Sequence, residues 1–211
     1  MFTGIIQEIG RVKSAVRKSN LLLDVESQII APMLKIGDSV AINGVCLTVI
    51  ESKRNGFIIE AVEETLSRTN LGRLNTGDPV NLEPPIAASE MFHGHFVQGH
   101  IDCAGKILSM EPESGSLRIS IEFPKRFADY LIEKGSVAVD GVSLTVVDTR
   151  PTAFSAAIIP HTIKNTIFRY GRIGDQVNLE FDMVAKYVEK LLSSRNDENL
   201  TVNFLKEHGF G

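Results

Sequence analysis

The sequence predicts a mainly β chain: two small antiparallel barrels in tandem, followed by an α-helix. The first observation behind this is a repeat. Gly44-Val45-Cys46-Leu47-Thr48-Val49 returns 97 residues later as Gly141-Val142-Ser143-Leu144-Thr145-Val146. Gly77-Asp78-Pro79-Val80-Asn81-Leu82-Glu83 returns at the same offset as Gly174-Asp175-Gln176-Val177-Asn178-Leu179-Glu180, and Thr65 and Thr69 return as Thr162 and Thr166. Two copies are too few for a solenoid, so each is read as a domain with its own core. The second observation is that short β-type stretches, punctuated by Gly, Asn and Asp, dominate both copies. The third is that the apolar period changes from strand-like to helical after the second copy.

In the first copy the expected strands are Val40–Ile42, Leu47–Ile50, Phe57–Val62 and Val80–Glu83. Their equivalents are Val137–Val139, Leu144–Val147, Phe154–Ile159 and Val177–Phe181. Asn43-Gly44 and Asp140-Gly141 are tight-turn pairs, because these residue types tolerate positive φ. Many short strands in so short a copy argue for a small barrel, which closes its own edges. Pro124 to Gly135 has Pro at its start, apolar residues at helical spacing and Gly at its stop, which predicts a helix, with a weaker counterpart over Ala31–Lys35. Pro84-Pro85-Ile86-Ala87-Ala88-Ser89 marks a linker. The first copy thus spans 1–90, the second 91–183, and 184–211 forms a helix and tail. In that last part Val184, Tyr187, Val188, Leu191 and Leu192 make an amphipathic stripe from about Asp182 to Ser194. Leu200 to Phe210 extends the helix or frays from it. The stripe has no twin in the first copy, and an oligomer interface is the expected role.

Composition narrows the function classes. The 211 residues fit two domains of roughly 90–100 residues and a tail. A hydrophobic content of 43% is enough for two cores, and a net charge of -4 gives no reason to expect nucleic acid or an anionic membrane as partner. No stretch approaches the roughly 18 apolar residues of a membrane span. Cys46 and Cys103 are not equivalent in the two copies, which argues against a disulfide framework and for a reducing compartment. Met1 to Glu8 lacks the basic region and apolar run of a signal peptide, so a cytoplasmic location is expected.

His93-Gly94-His95-Phe96-Val97-Gln98-Gly99-His100-Ile101-Asp102-Cys103 holds three of the five histidines. In a strand His93 and His95 would share a face. With His100 and Cys103 they have the residue types of a metal site, but the spacing fits no standard zinc pattern and the first copy carries no histidine. No metal is expected; the reading adopted is a ligand-facing loop with glycine-spaced histidines. Alternation puts Cys46 and Thr48 on one face, and Ser143 and Thr145 likewise. Short polar groups there suit hydrogen bonding to a polyol or a heterocycle. Ser143 lacks the strand-to-helix elbow and triad order of a serine hydrolase. A covalent role for Cys46 is disfavoured, because its twin is serine and no histidine adjoins it in sequence.

Met1-Phe2-Thr3-Gly4-Ile5-Ile6-Gln7, Asn43-Gly44-Val45-Cys46-Leu47-Thr48, Glu64-Thr65-Leu66-Ser67-Arg68-Thr69-Asn70-Leu71-Gly72, Gly99-His100-Ile101 and Asp140-Gly141-Val142-Ser143-Leu144-Thr145-Val146 occur in order along the chain. Together they closely resemble the riboflavin synthases of the alpha-chain type, a lumazine-binding tandem-repeat family, from Met1 to near Leu192. The resemblance implies two six-stranded antiparallel (Greek-key) barrels plus a C-terminal helix, assembled as a homotrimer. It implies a cofactor-free dismutation of two 6,7-dimethyl-8-ribityllumazine molecules to riboflavin and 5-amino-6-ribitylaminouracil, at a site between barrels of neighbouring subunits. It also admits lumazine synthase as a partner.

Carried over motif by motif, the resemblance implies a first-barrel substrate site of Gly4, Ile5 and Ile6, then Cys46, Leu47 and Thr48, then Glu60, Ala61, Val62, Glu63, Glu64 and Thr65. The second-barrel site is Gly99, His100 and Ile101, Lys134, Ser143, Leu144 and Thr145, then Ile158, Ile159, Pro160, His161, Thr162 and Ile163. His100, Ser143, Cys46, Thr145 and Asp182 are the implied groups for proton transfer and positioning, and Phe2 lies near the rings. Val45 and Gln98 are mild departures. Two other readings compete. A lumazine- or flavin-binding antenna protein shares the duplicated fold, but both Gly99-His100-Ile101 and Ser143-Leu144-Thr145 are intact here. A flavin reductase needs a Gly-rich dinucleotide loop, which the sequence lacks.

Overall fold

The computed structural model describes residues 1–196. Twelve strands close into two six-stranded antiparallel barrels, as the resemblance implies. The first contains β1 (Glu8–Arg17), β2 (Leu21–Glu26), β3 (Ser39–Ile42), β4 (Val45–Lys53), β5 (Gly56–Ala61) and β6 (Pro79–Glu83), in the order β1-β2-β5-β4-β3-β6. The second contains β7 (Cys103–Glu113), β8 (Ser116–Glu122), β9 (Ser136–Val139), β10 (Val142–Arg150), β11 (Ala153–Ile158) and β12 (Gln176–Phe181), in the corresponding order β7-β8-β11-β10-β9-β12. In each, three hairpin-connected strands are joined at one side by a strand returning from further along the chain, the Greek-key arrangement.

Alternation builds the interiors. Leu21, Leu23 and Val25 of β2 point inward, as do Val45, Leu47 and Val49 of β4 and Phe57 and Ile59 of β5. The second barrel repeats this with Val142, Leu144 and Val146 of β10 and Phe154, Ala156 and Ile158 of β11. Each such large side chain contributes about 1.5–3 kcal/mol by leaving water. Both barrels curl at bulges in matching strands, between Val49 and Glu51 in β4 and between Val146 and Asp148 in β10.

Strands β1, β2, β7 and β8 do not stand out in the sequence, for a definable reason. Gly10 in β1 and Gly105 in β7 do the same job: an added Cβ would meet Leu82 Cδ1 at 2.5 Å in one and Leu179 Cδ1 at 2.7 Å in the other. These two glycines lie 95 residues apart. The first hairpin of the second copy is one residue longer and its connection to β9 longer by another, so a comparison at an offset of 97 slides past both strands. Two helical expectations also change. Pro124 to Gly135 forms only a 3₁₀ turn over Lys125–Tyr130, and Ala31 to Lys35 one over Ala31–Met33. The longer segment stops early because Phe127 and Tyr130 already reach Phe181, with ring centroids 5.2 and 5.9 Å away, and Leu131 turns extended into the core. Two short helices appear instead, α1 (Glu63–Arg68) and α2 (Pro160–Asn165). The repeated threonines end them: Thr69 and Thr166 Oγ1 donate to the carbonyls of Thr65 and Thr162, both at 2.7 Å.

Helix α3 (Met183–Asn196) follows β12 where the stripe predicts it. Asp182 caps it, accepting from Val184 N at 2.9 Å. Lys186 seats it on the second barrel through Asp102, 2.6 Å away. The tail expected over Leu200 to Phe210 lies outside the described residues. No helix among the described residues is long and apolar enough to cross a membrane.

The barrels meet about a pseudo-twofold axis. Asn43-Gly44 and Asp140-Gly141, all four at positive φ, turn their hairpins tip to tip. A Cβ on Gly44 would lie 2.6 Å from Gly141 N, and one on Gly141 would lie 2.7 Å from Gly44 N, so only glycine fits either place. Asn81 Nδ2 donates to the Asp140 carbonyl at 2.9 Å, and Asn178 Nδ2 donates to the Asn43 carbonyl at 2.8 Å.

Candidate functional site

The chain segments ahead of the two barrels exchange sides. Each is held by a buried glutamate of its own copy and then reaches the other. Glu83 of β6 accepts from Thr3 N at 2.7 Å, Thr3 Oγ1 at 2.9 Å and Gly4 N at 3.1 Å. From there the Gly4 carbonyl accepts from Ser143 N of the second barrel at 2.8 Å, and Ile6 packs on the second core. In the mirrored arrangement Glu180 of β12 accepts from the backbone N–H groups of Gln98, Gly99 and His100 at 2.6, 2.8 and 3.1 Å. The Gly99 carbonyl accepts from Cys46 N of the first barrel at 2.9 Å, and Ile101 packs on the first core. The structure thus sets Gly4 against Ser143 and Gly99 against Cys46, across the grouping that the resemblance implies. Phe2 is fully buried at the join, where Phe2 N donates to the Val97 carbonyl at 2.8 Å beside Ala41 and Ala138.

Both contacts are too tight for a side chain at the glycine. A Cβ on Gly4 would lie 2.6 Å from Ser143 Cβ, and one on Gly99 would lie 2.4 Å from Cys46 Cβ. Both glycines have positive φ, so substitution there is strained as well as crowded.

Around Ser143 the structure brings in His95, which the sequence read only as one histidine of a ligand-facing loop. His95 Nδ1 lies 2.7 Å from Ser143 Oγ, and its ring is almost wholly buried. Burial holds the imidazole below its ordinary pKa, against the pull of the Asp182 carboxylate, so the ring is neutral at pH 7. Its Nε2 is buried with no hydrogen-bond partner among the described residues. A neutral histidine bonded to a hydroxyl is chemically able to take up a proton. His93 is exposed and does not share a face with His95, because Gly94 turns the chain at φ 66° and the segment is not a strand. Subtracting the local offset of 95 from His95 gives a position before Met1, so no repeat comparison highlights it.

The remaining residues divide by side. Thr48 and Thr145 are exposed on the outer faces of β4 and β10, with Cys46 and Ser143 half-buried beside them. Leu47 and Leu144 point the other way, into the cores. Ala61 and Ile158 are buried, whereas Glu60, Val62, Glu63 and Glu64, and Ile159, Pro160 and His161, are exposed; Thr65, Thr162 and Ile163 are half-buried. Lys134 sits at φ 64° and donates its N–H to the Val146 carbonyl at 2.8 Å. In the first barrel Gly37 makes the equivalent bond to Val49 at 2.9 Å with φ 93°. The second copy thus keeps a lysine in a left-handed conformation that glycine adopts without strain.

Comparison with known proteins follows this geometry. Residues 3–84 and 98–182 each match the Lumazine binding domain. Over its full length the chain is 44% identical to riboflavin synthase from Actinobacillus pleuropneumoniae and 38% identical to riboflavin synthase from Bacillus subtilis, and it covers all of both. The chain belongs to the riboflavin synthase family. The Schizosaccharomyces pombe member is 36% identical over 92% of this chain and 95% of its own. Crystal structures of LumP with 6,7-dimethyl-8-(1'-D-ribityl) lumazine and with riboflavin superpose with TM-scores of 0.78 and 0.80. They cover 86% of this chain and 99% of LumP at 20% identity, which shows a shared fold. The two family matches fall on the two barrels, and the second begins at Gln98, the first residue that Glu180 holds.

Proposed function

We propose that this chain converts two molecules of 6,7-dimethyl-8-ribityllumazine into riboflavin and 5-amino-6-ribitylaminouracil. A four-carbon unit passes from one lumazine to the other, and the products together hold all the atoms of the two substrates. The observation that carries the reading is the doubled lumazine-binding barrel in a chain matched end to end by riboflavin synthases. One barrel accounts for one substrate, and the reaction needs two.

The chemistry asks mainly for two flat rings held face to face, which positioning supplies. The edges of β4 and β10 read the pyrimidinedione through backbone groups, with Thr48, Thr65, Thr145 and Thr162 bonding ring or ribityl hydroxyls. Lys134 adds a cation at the second site. His95, neutral and 2.7 Å from Ser143 Oγ, removes or returns a proton at the lumazine C7 methyl through that hydroxyl. His100 works from the segment facing Cys46. Asp182 acts on His95 through its charge while capping α3.

The reacting pair forms between barrels of neighbouring subunits in a homotrimer. Support comes from α3, where Tyr187 and Leu191 are 63% and 67% exposed, and from the loop carrying exposed Met91, Phe92 and Phe96. Thr48 and Thr145, and the exposed residues of Glu60–Glu64 and Ile159–His161, lie on outer faces that a second subunit can cover. Location in the cytoplasm and association with lumazine synthase belong to the same reading.

Incubating the purified chain with 6,7-dimethyl-8-ribityllumazine alone, and separating the products, tests this. Riboflavin and the pyrimidine should appear in equal amounts. Binding without conversion would favour the antenna-type alternative instead.

A further inference from the structure

Glu83 and Glu180 are carboxylates in an unusual setting. Each is at most 3% exposed, and neither forms a salt bridge among the described residues. Burying a charge without a counterion is strongly unfavourable unless its oxygens are well bonded. Here they are. Glu180 gathers three successive backbone N–H groups, and Glu83 gathers two and a threonine hydroxyl. Burial still pushes both carboxyls above their ordinary range, Glu180 to about 7. A neutral peg such as glutamine would avoid that penalty, yet both copies carry glutamate.

The bonded segments explain what is gained. They are the ones that leave their own copy and close against Ser143 and Cys46 of the other, with no slack at Gly4 or Gly99. We infer that Glu83 and Glu180 are positioning residues acting across the barrel boundary: Glu180 sets the site at Cys46 on the first barrel, and Glu83 sets the site at Ser143 on the second. The identity of those sites rests on the function proposed above. The crossing itself does not.

The test uses the full chain with Glu83→Gln, Glu180→Gln and the corresponding aspartates. A carboxamide has one acceptor oxygen and turns an NH₂ towards backbone donors, so at least one bond to a charged acceptor is lost. Hydrogen exchange with mass spectrometry reads peptides around residues 44–49 and 141–146, with β2 and β8 as internal controls for the fold. Glu180→Gln should speed exchange at 44–49 by roughly ten- to a hundredfold, the span for losing one bond to a charged group, and leave 141–146 unchanged. Glu83→Gln should do the reverse. Riboflavin formation should fall in both, more in kcat than in KM, because the reacting geometry is disturbed more than the binding surfaces.

Should a glutamine variant expose its controls, the aspartate, which keeps both oxygens on a shorter arm, must show the same crossed pattern at smaller amplitude. Loosening confined to the mutated glutamate's own barrel, or equal in both peptides, overturns the inference, as does turnover unchanged in both variants. A wild-type chain that makes no riboflavin removes the functional reading instead, and the exchange pattern still decides the crossing.

Discussion

Asp140 marks the sharpest difference between the copies at their contact. Its first-copy equivalent is Asn43, and each side-chain Oδ1 accepts a backbone N–H, from Asn178 at 2.9 Å and from Asn81 at 2.8 Å. Asn70 Nδ2 adds a second bond to Asp140 at 2.9 Å. Burial raises the Asp140 carboxyl to about 7, and neighbouring Asp175 adds to this. Because the folded pKa lies above the unfolded one, the group favours folding below about pH 4, and that contribution fades as pH rises through 7. Asp140→Asn keeps the Oδ1 acceptor and removes the charge. It should therefore stabilise the chain at pH 8 by about 1–3 kcal/mol, roughly 2–4 °C of Tm per kcal/mol, with much less gain at pH 4. Calorimetry at both pH values checks this, and a gain independent of pH would refute it.

Two histidines give a second comparison among single residues. His100 is exposed and lies in the segment against Cys46, while His95 is buried against Ser143. His100→Gln is expected to lower turnover by roughly ten- to a thousandfold, with a much smaller change in affinity for a lumazine analogue. His95→Gln should cut turnover over a similar range and flatten the acid limb of the pH profile, since burial places the His95 titration below its ordinary range and glutamine offers no titrating group. Turnover and analogue binding measured on the same preparations separate the roles. If His100→Gln leaves turnover unchanged, the residue is a bystander. The repeated motif made Cys46, Thr48, Ser143 and Thr145 readable from sequence, because strand alternation assigns them to one face. His95 was not readable in that way, since its partner is brought 48 residues in sequence to 2.7 Å only by the fold.

At the scale of elements, α3 is the piece without a twin. Val184, Tyr187, Val188, Leu191 and Leu192 are all exposed in the single chain, and Val184, Val188 and Leu192 line a cleft with Tyr130 and Ile132 of the second barrel. Truncation after Asp182 should convert the proposed homotrimer to a smaller species in light scattering and abolish turnover. A truncated chain that stays trimeric and active would dispose of the helix as the main assembly element. Periodicity located α3 because an amphipathic stripe is a property of local sequence. The first hairpin of each barrel escaped for the opposite reason. Its strands are recognised by what they pair with, β1 with β6 and β2 with β5, and such pairings leave little trace when the copies drift by one or two residues. The segment after Pro124 shows a third situation, in which good helix ends surround residues that tertiary contacts with Phe181 claim first.

For the molecule as a whole, the pseudo-twofold contact with exchanged segments has a historical reading. A symmetric dimer of single barrels whose N-terminal arms reach across to each other's sites, once its two chains are joined in one gene, becomes this arrangement: arm one on barrel two, arm two on barrel one. The linker at Pro84 to Ser89 is then the scar of a fusion, and Asn43 against Asp140 is a symmetry broken after it. Residues 1–90 expressed alone keep Gly44, Asn81, Glu83 and the Gly4 arm, everything one half of such a dimer requires. That fragment should return to the older state, a twofold dimer in which each Gly4 arm closes on the other chain's Cys46.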